Sequence, residues 1–172
     1  MRFEFATATR IIFGPGCVRD VPVLARALGD RALVVTGSGV ERAQPLVRQL
    51  GQEQIHCVPF PIPGEPTTAI VTQGGALARQ EGCTLVIAFG GGSAIDGAKA
   101  IAALLTNGGG LLDYLEVVGL GKPLAHPSAP FIAIPTTAGT GTEVTRNAVL
   151  ASPEHRVKAS LRSPLMLARL AV

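Results

Sequence analysis

Leu85-Val86-Ile87-Ala88-Phe89-Gly90-Gly91-Gly92-Ser93 is five apolar residues running straight into three glycines and a serine. A short, wholly apolar run closed by a turn signal reads as a strand buried on both faces. Ala94–Leu105 follows at helical spacing and stops at Asn107 and three glycines. The same alternation extends in both directions. Upstream, Arg10–Phe13, Ala32–Val35 and Ile55–Phe60 read as strands. Val18–Leu28, Ala43–Leu50 and Thr67–Glu81 read as helices between them, the last weakened by Gly74-Gly75. Downstream, Leu111–Glu116 reads as a helical turn and Phe131–Ile134 as another buried strand. Ala148–Ala151 and Arg156–Ala159 read as a hairpin around Ser152-Pro153-Glu154-His155, and Leu165–Val172 as a final apolar run. Apolar strands alternating with helices imply parallel βαβ units. Right-handed crossovers then leave an α/β fold with a doubly wound, mostly parallel open sheet.

Composition supports one domain over residues 1–172 and excludes several classes. The chain is 47% hydrophobic and only 16% charged, which excludes a disordered polymer. Its 21 Gly and 13 Pro follow no G-X-Y period. Six Phe, one Tyr, no Trp and a net charge of +3 without a basic block give no footprint for nucleic acid. No apolar run has the length of a membrane span, and residues 1–15 carry no signal-peptide pattern. Three cysteines without C-x-x-C (Cys17, Cys57, Cys83) argue against disulfides and a zinc site, and each reads as a small buried hydrophobe. A reducing, cytoplasmic setting is the expectation. A mean hydropathy of +0.38 calls for a sheet covered on both faces and for one face that meets a partner.

In such sheets ligands sit beyond the carboxyl ends of the strands, so three loops carry the chemistry. Gly37-Ser38-Gly39 matches two glycines of G-x-G-x-x-G, with Arg42 in place of the third. No carboxylate stands at position 37 to hold a ribose 2′-hydroxyl, which leaves room for a 2′-phosphate. Arg42 is either its counter-charge or an exposed helix arginine. Gly90-Gly91-Gly92-Ser93 suits a pyrophosphate, because glycines let an anion approach the backbone and helix-start amides point at it. Ser93-x-x-Asp96 also fits an N-cap with an acidic third position, which explains those two residues but not three glycines. Pro135-Thr136-Thr137-Ala138-Gly139-Thr140-Gly141-Thr142-Glu143 offers hydroxyls and free amides for a ribose, amide or phosphate.

Other chemistries fail on spacing. Gly92-x-x-x-x-Gly97-Ala98-Lys99 puts its lysine one place late for a P-loop, and Lys99 reads as a surface partner of Asp96. His56, His126 and His155 share no metal-ligand spacing and read as structural or solvated. Ser163-Pro164 has no G-x-S-x-G context.

The ordered set of motifs resembles the amino-terminal, Rossmann-like domain of the iron-dependent (group III) alcohol dehydrogenases. It comprises Ile12-Phe13-Gly14-Pro15-Gly16, Val35-Thr36-Gly37, Gly64-Glu65-Pro66-Thr67, Gly90-Gly91-Gly92-Ser93-x-x-Asp96-x-x-Lys99, Ile134–Thr145, and Lys158 followed by Ser163-Pro164. The resemblance implies hydride exchange between NAD(P) and an alcohol/aldehyde pair, a divalent metal (Fe or Zn) polarising the oxygen. It assigns Gly91, Gly92 and Ser93 to the pyrophosphate. Thr136, Thr137 and Thr140 go to pyrophosphate, ribose and nicotinamide, and Lys158 to the nicotinamide ribose. Position 37 selects the cofactor, Gly there tolerating NADP, which is slightly favoured. The cofactor set is completed by Ser38, Gly39, Glu65 and Asp96. Thr142 stands where the family more often has Ser. The family's metal ligands, one Asp and three His, belong to a helical second domain beyond Val172, so no catalytic residue or metal ligand is assigned here. Catalysis by these residues alone is not expected, and a homodimer is the family assembly. The alternatives are a related glycerol-phosphate dehydrogenase or sugar-phosphate lyase, and a non-catalytic nucleotide-binding or interaction module.

Overall fold

The computed structural model describes all 172 residues. Five parallel strands form the main sheet: β1 (Arg31–Thr36), β2 (His56–Pro61), β3 (Leu85–Gly90), β4 (Phe131–Pro135) and β7 (Leu170–Ala171), in the order β2-β1-β3-β4-β7. A separate antiparallel hairpin, β5 (Asn147–Ser152) and β6 (Val157–Arg162), packs beside it. The helices are α1 (Val21–Arg26), α2 (Gln44–Gln52), α3 (Thr68–Gln80), α4 (Gly92–Thr106) and α5 (Leu111–Tyr114). From β1 the chain moves outward to β2, then returns past β1 to β3. The topological switch therefore lies between β1 and β3, where open α/β sheets form their ligand crevice.

The strands alternate between two cores. Leu33, Val35, Val86, Ala88 and Ala133 face the larger one, built with α3, α4 and the hairpin. Ala32, Val34, Leu85, Ile87, Ile132 and Ile134 face the smaller one, built with α1 and α2. Burial on both faces explains why these runs lack polar alternation, each fully buried Leu, Ile or Val contributing about 1.5–3 kcal/mol. It also accounts for much of the high mean hydropathy. Phe3, Phe5 and Phe13 remain exposed. No helix is long and apolar enough to cross a membrane.

Several elements differ from the sequence reading. Arg10–Phe13 is not a full strand; it makes a single bridge, Ile11 to Ala171, because β7 offers only two residues to pair with. Val18–Leu28 is a 3-10 turn (Cys17–Asp20) and then the six-residue α1, whose start is set by Pro22. Gly74-Gly75 does not weaken α3 at random. A side chain on Gly74 would strike Ile101 and Phe60, so the glycines let α3 lie close against α4. Gly97 does the same for Ile62 and Pro66. Of the cysteines only Cys83 is buried; Cys17 and Cys57 are half-buried.

α4 is the central helix, with Ala94, Ile95 and every residue from Gly97 to Leu104 buried. Its far end is closed by Asn107, itself 2% exposed. The Asn107 amide donates to Ala103 O (2.9 Å) and His126 O (3.1 Å), and its oxygen accepts from the Ala125 and His126 amides at 3.0 and 2.9 Å. That one side chain ties the helix to the loop leading into β4.

Candidate functional site

The three loops meet at the carboxyl edge of the sheet. β1 and β3 pair through Thr36 and Phe89, which sets Gly37 directly beside Gly90. A Cβ on Gly90 would lie 2.7 Å from Ala94 Cβ and 3.2 Å from the Gly37 amide nitrogen. Only a glycine lets the two turns approach so closely. Gly37, Ser38, Gly39, Arg42, Gly91 and Thr136 line one cleft of about 150 Å³. Thr136 and Thr137 also line a neighbouring cleft of about 430 Å³, with Glu143 and the Ile11–Gly14 segment on its other walls. The third loop folds over the second. Thr137 Oγ1 stands 3.2 Å from where a Gly91 Cβ would sit, and Thr140 Cβ 3.4 Å from a Gly92 Cβ.

α4 begins two residues earlier than a Ser93 cap would have it. Gly91 is the N-cap, extended at φ −77° and ψ −174°, without a side-chain capping bond. Ser93 is therefore inside the first turn and exposed. The first intrahelical bond is Ile95 N–H to Gly91 O at 3.1 Å, so the amides of Gly92, Ser93 and Ala94 have no helical acceptor. Together with the helix dipole they form a positive end suited to an anion. Beneath the first loop, Thr36 Oγ1 is buried without a hydrogen-bond partner.

Asp96 is half-buried, near Lys99 and the Val149 amide of the hairpin. Burial raises its pKa to about 6, and those two neighbours pull it back only in part. Glu65 and Lys158 lie apart from the glycine turns. They pair with each other, Lys158 Nζ to Glu65 Oε1 at 2.5 Å, on the wall of a cleft of about 260 Å³. The Ala151 amide donates to Pro66 O at 2.9 Å and so brings the Pro59–Pro66 loop against the hairpin. Both side chains are largely exposed, so the pair adds about 0–1 kcal/mol to stability.

Lys99 is the plainest departure from the sequence reading. It is no surface partner of Asp96 but 0% exposed, its ammonium bound to backbone carbonyls from the end of the third loop to the start of β5. The overlooked signal is that three of the four neighbours of position 99 at helical spacing, Ile95, Ala102 and Ala103, are apolar, Asp96 being the fourth. Glu143, with a buried and unpartnered Oε2, also went unassigned. His155 is spoken for by Ser152, Oγ to Nδ1 at 2.8 Å. No three His, Cys, Asp or Glu side chains converge as a metal-binding group. The residues present thus fit a dinucleotide, through the glycine cradle and the free amides, and do not themselves form a metal centre.

A parallel sheet with its switch point at a glycine turn, opening onto a helix start, defines a Rossmann-like domain. The chain belongs to the iron-containing alcohol dehydrogenase family, whose family model matches residues 8–172. It is 37% identical over 173 residues to choline dehydrogenase of Bacillus subtilis, covering 98% of this chain and 43% of that protein. It is 32% identical over 165 residues to 1,3-propanediol dehydrogenase of Klebsiella pneumoniae, covering 91% and 41%. Among solved structures, a 1,3-propanediol oxidoreductase superposes with a TM-score of 0.90 at 30% identity, over 99% of this chain and 45% of that one. Sulfoacetaldehyde reductase from Bifidobacterium kashiwanohense, solved in complex with NAD+, superposes at 0.88 with 29% identity, over 99% and 46%. The chain spans less than half the length of these relatives.

Proposed function

We propose that residues 1–172 form the NAD(P)-binding domain of a metal-dependent alcohol dehydrogenase, with metal and alcohol held by residues outside them. The single observation that carries this reading is the cradle at the start of α4. There, three amides without helical acceptors stand beneath threonines brought within contact of two glycines. The amides of Gly92, Ser93 and Ala94 would bind the pyrophosphate, with Thr137 and Thr140 closing over it. Thr136, shared by both clefts, would orient the ribose between them. Ser38 and Gly39 would line the path of the adenosine half, and the Glu65–Lys158 pair would present an ammonium toward the nicotinamide ribose. Asp96 fixes the first turn of α4 against the hairpin.

A nicotinamide held in this groove would supply the hydride acceptor for oxidation of an alcohol to its aldehyde, with release of the hydroxyl proton. The chain's own contribution is to hold that ring at one distance and one face, which counts for much of the barrier in a two-reactant step. NADP is favoured slightly. Gly37 has no atom within 4 Å of where its side chain would be, and Arg42 lines the same cleft. A 2′-phosphate therefore meets open space and a cation.

Titration of the chain with NADPH and NADH, followed by the fluorescence of the reduced nicotinamide, tests the reading. Saturable binding of at least one coenzyme is expected, and no binding of either at millimolar concentration would overturn it.

A further inference from the structure

Lys99 is among the largest side chains fully withdrawn from solvent. Its Nζ donates to Thr142 O at 2.7 Å, Thr145 O at 2.8 Å, Asn147 O at 2.8 Å and Thr145 Oγ1 at 3.2 Å. An ammonium carries three protons, so all are engaged and one is shared. The acceptors run from the end of the third loop (Thr142) through Thr145 to the first residue of β5 (Asn147). That loop has little else to hold it. Thr136 N–H bonds Gly90 O at 2.9 Å at one end, and Val144 N–H bonds Gly141 O at 3.2 Å near the other. No backbone amide from Thr137 to Glu143 donates to another backbone carbonyl. The loop is thus held at the tip of β3 and at the ammonium of Lys99, and just beyond it the Ser163 amide donates to Arg146 O at 3.1 Å.

Resting on the NAD(P)-binding reading, we propose that Lys99 is a positioning residue for the coenzyme: its ammonium pins Thr142–Asn147 and so keeps Thr137 and Thr140 over the Gly91-Gly92 turn. The charged groups facing it are few. Asp96 stands one turn earlier on α4, and Glu143 comes from the loop itself. β3, β4 and β5 carry no titratable residue. The only one on α3, Arg79, is spent on Leu104 O at the other end of α4. Burial lowers the Lys99 pKa to about 8 while Asp96 and Glu143 hold it up, so the pin is released within an accessible pH range.

The sign of the pH effect separates positioning from mere stability. A lysine whose pKa is lower folded than unfolded makes the fold more stable as pH rises from about 8 toward 10.4. Positioning requires the opposite trend in coenzyme affinity. In the unaltered chain, the Kd for NADPH should rise about tenfold between pH 7 and pH 9.5, the worth of roughly one charged hydrogen bond. Urea stability should not fall in parallel. Trypsin cleavage after the exposed Arg146, normalised to cleavage after Arg2, should accelerate over the same interval. Lys99→Met should show weak NADPH binding and fast Arg146 cleavage at both pH values. A pH-independent Kd in the unaltered chain overturns the proposal, as does Arg146 cleavage that neither pH nor Lys99→Met changes. Should the variant fail to fold, the pH series on the unaltered chain decides. Should neither coenzyme bind, the NAD(P) reading falls while the Arg146 ratio still decides whether Lys99 pins the loop.

Discussion

Gly90→Ala and Gly37→Ala add the same methyl group to the two sides of one backbone contact, and the structure predicts opposite outcomes. At Gly90 the new carbon lands 2.7 Å from Ala94 Cβ and 3.2 Å from the Gly37 nitrogen. Carbon atoms settle at about 3.5–4.0 Å, so the first contact is short by roughly an ångström. Neither neighbour can yield cheaply, since one is a helix Cβ and the other is backbone. Relief must come from sliding the first turn of α4 away from β3. Overpacking of this kind costs about 1–3 kcal/mol, and in a chain of this length each kcal/mol moves Tm by about 2–4 °C. At Gly37 nothing lies within 4 Å and φ is not in the left-handed region. Gly37→Ala should therefore be neutral, or stabilising by up to about 1 kcal/mol through a less flexible unfolded chain. Urea and thermal melts by circular dichroism measure both. NADPH titration should show a loss of about tenfold or more for Gly90→Ala, since the displaced turn carries the anion-facing amides, and little change for Gly37→Ala. Equal stability of the two variants, or Gly90→Ala binding NADPH like the unaltered chain, would refute the reasoning.

Gly37→Asp should shift coenzyme choice. A carboxylate placed in the open space beside Arg42 repels a 2′-phosphate by about 1–2 kcal/mol, so NADPH should weaken about 5- to 30-fold relative to NADH in paired titrations. A gain in NADPH preference would contradict this. Asn107→Ala should cost about 1–3 kcal/mol in urea melts, because it strips the Ala125 and His126 amides of their acceptor and His126 O of its donor. Asp96→Asn removes a carboxyl whose folded pKa is raised to about 6. Such a group contributes stability that is complete below about pH 4 and is lost as pH climbs through about 6. The stability of the unaltered chain minus that of the variant should fall by roughly 1–3 kcal/mol between those limits, and a difference that does not vary with pH would speak against it.

Much of the sheet was legible because each central strand is a short apolar run ended by Gly or Pro, and residues buried on both faces need no tertiary partner to be recognised. β7 was not, since a two-residue strand owes its existence to β4 rather than to its own pattern. The glycine turns were legible as turns at the carboxyl ends of strands for the same local reason. Glu65 and Lys158 could be named, but their pairing could not be read across 92 intervening residues, because the Thr67–Ala151 bridge brings them together. Lys99 was misread because a lysine three places after an aspartate invites a surface pairing. Its burial follows from how completely β3, β4, α3 and the hairpin enclose α4, a property of the assembled layers.

α4 carries the anion-facing turn at its start and, two turns on, the ammonium that holds the covering loop. If the turn holds the coenzyme's diphosphate as proposed, occupancy at one end and order at the other belong to a single thermodynamic cycle. Whatever factor a diphosphate gains from a settled threonine flap, the flap gains from the diphosphate. On the proposed reading, a rotation of this one rod would disengage both at once.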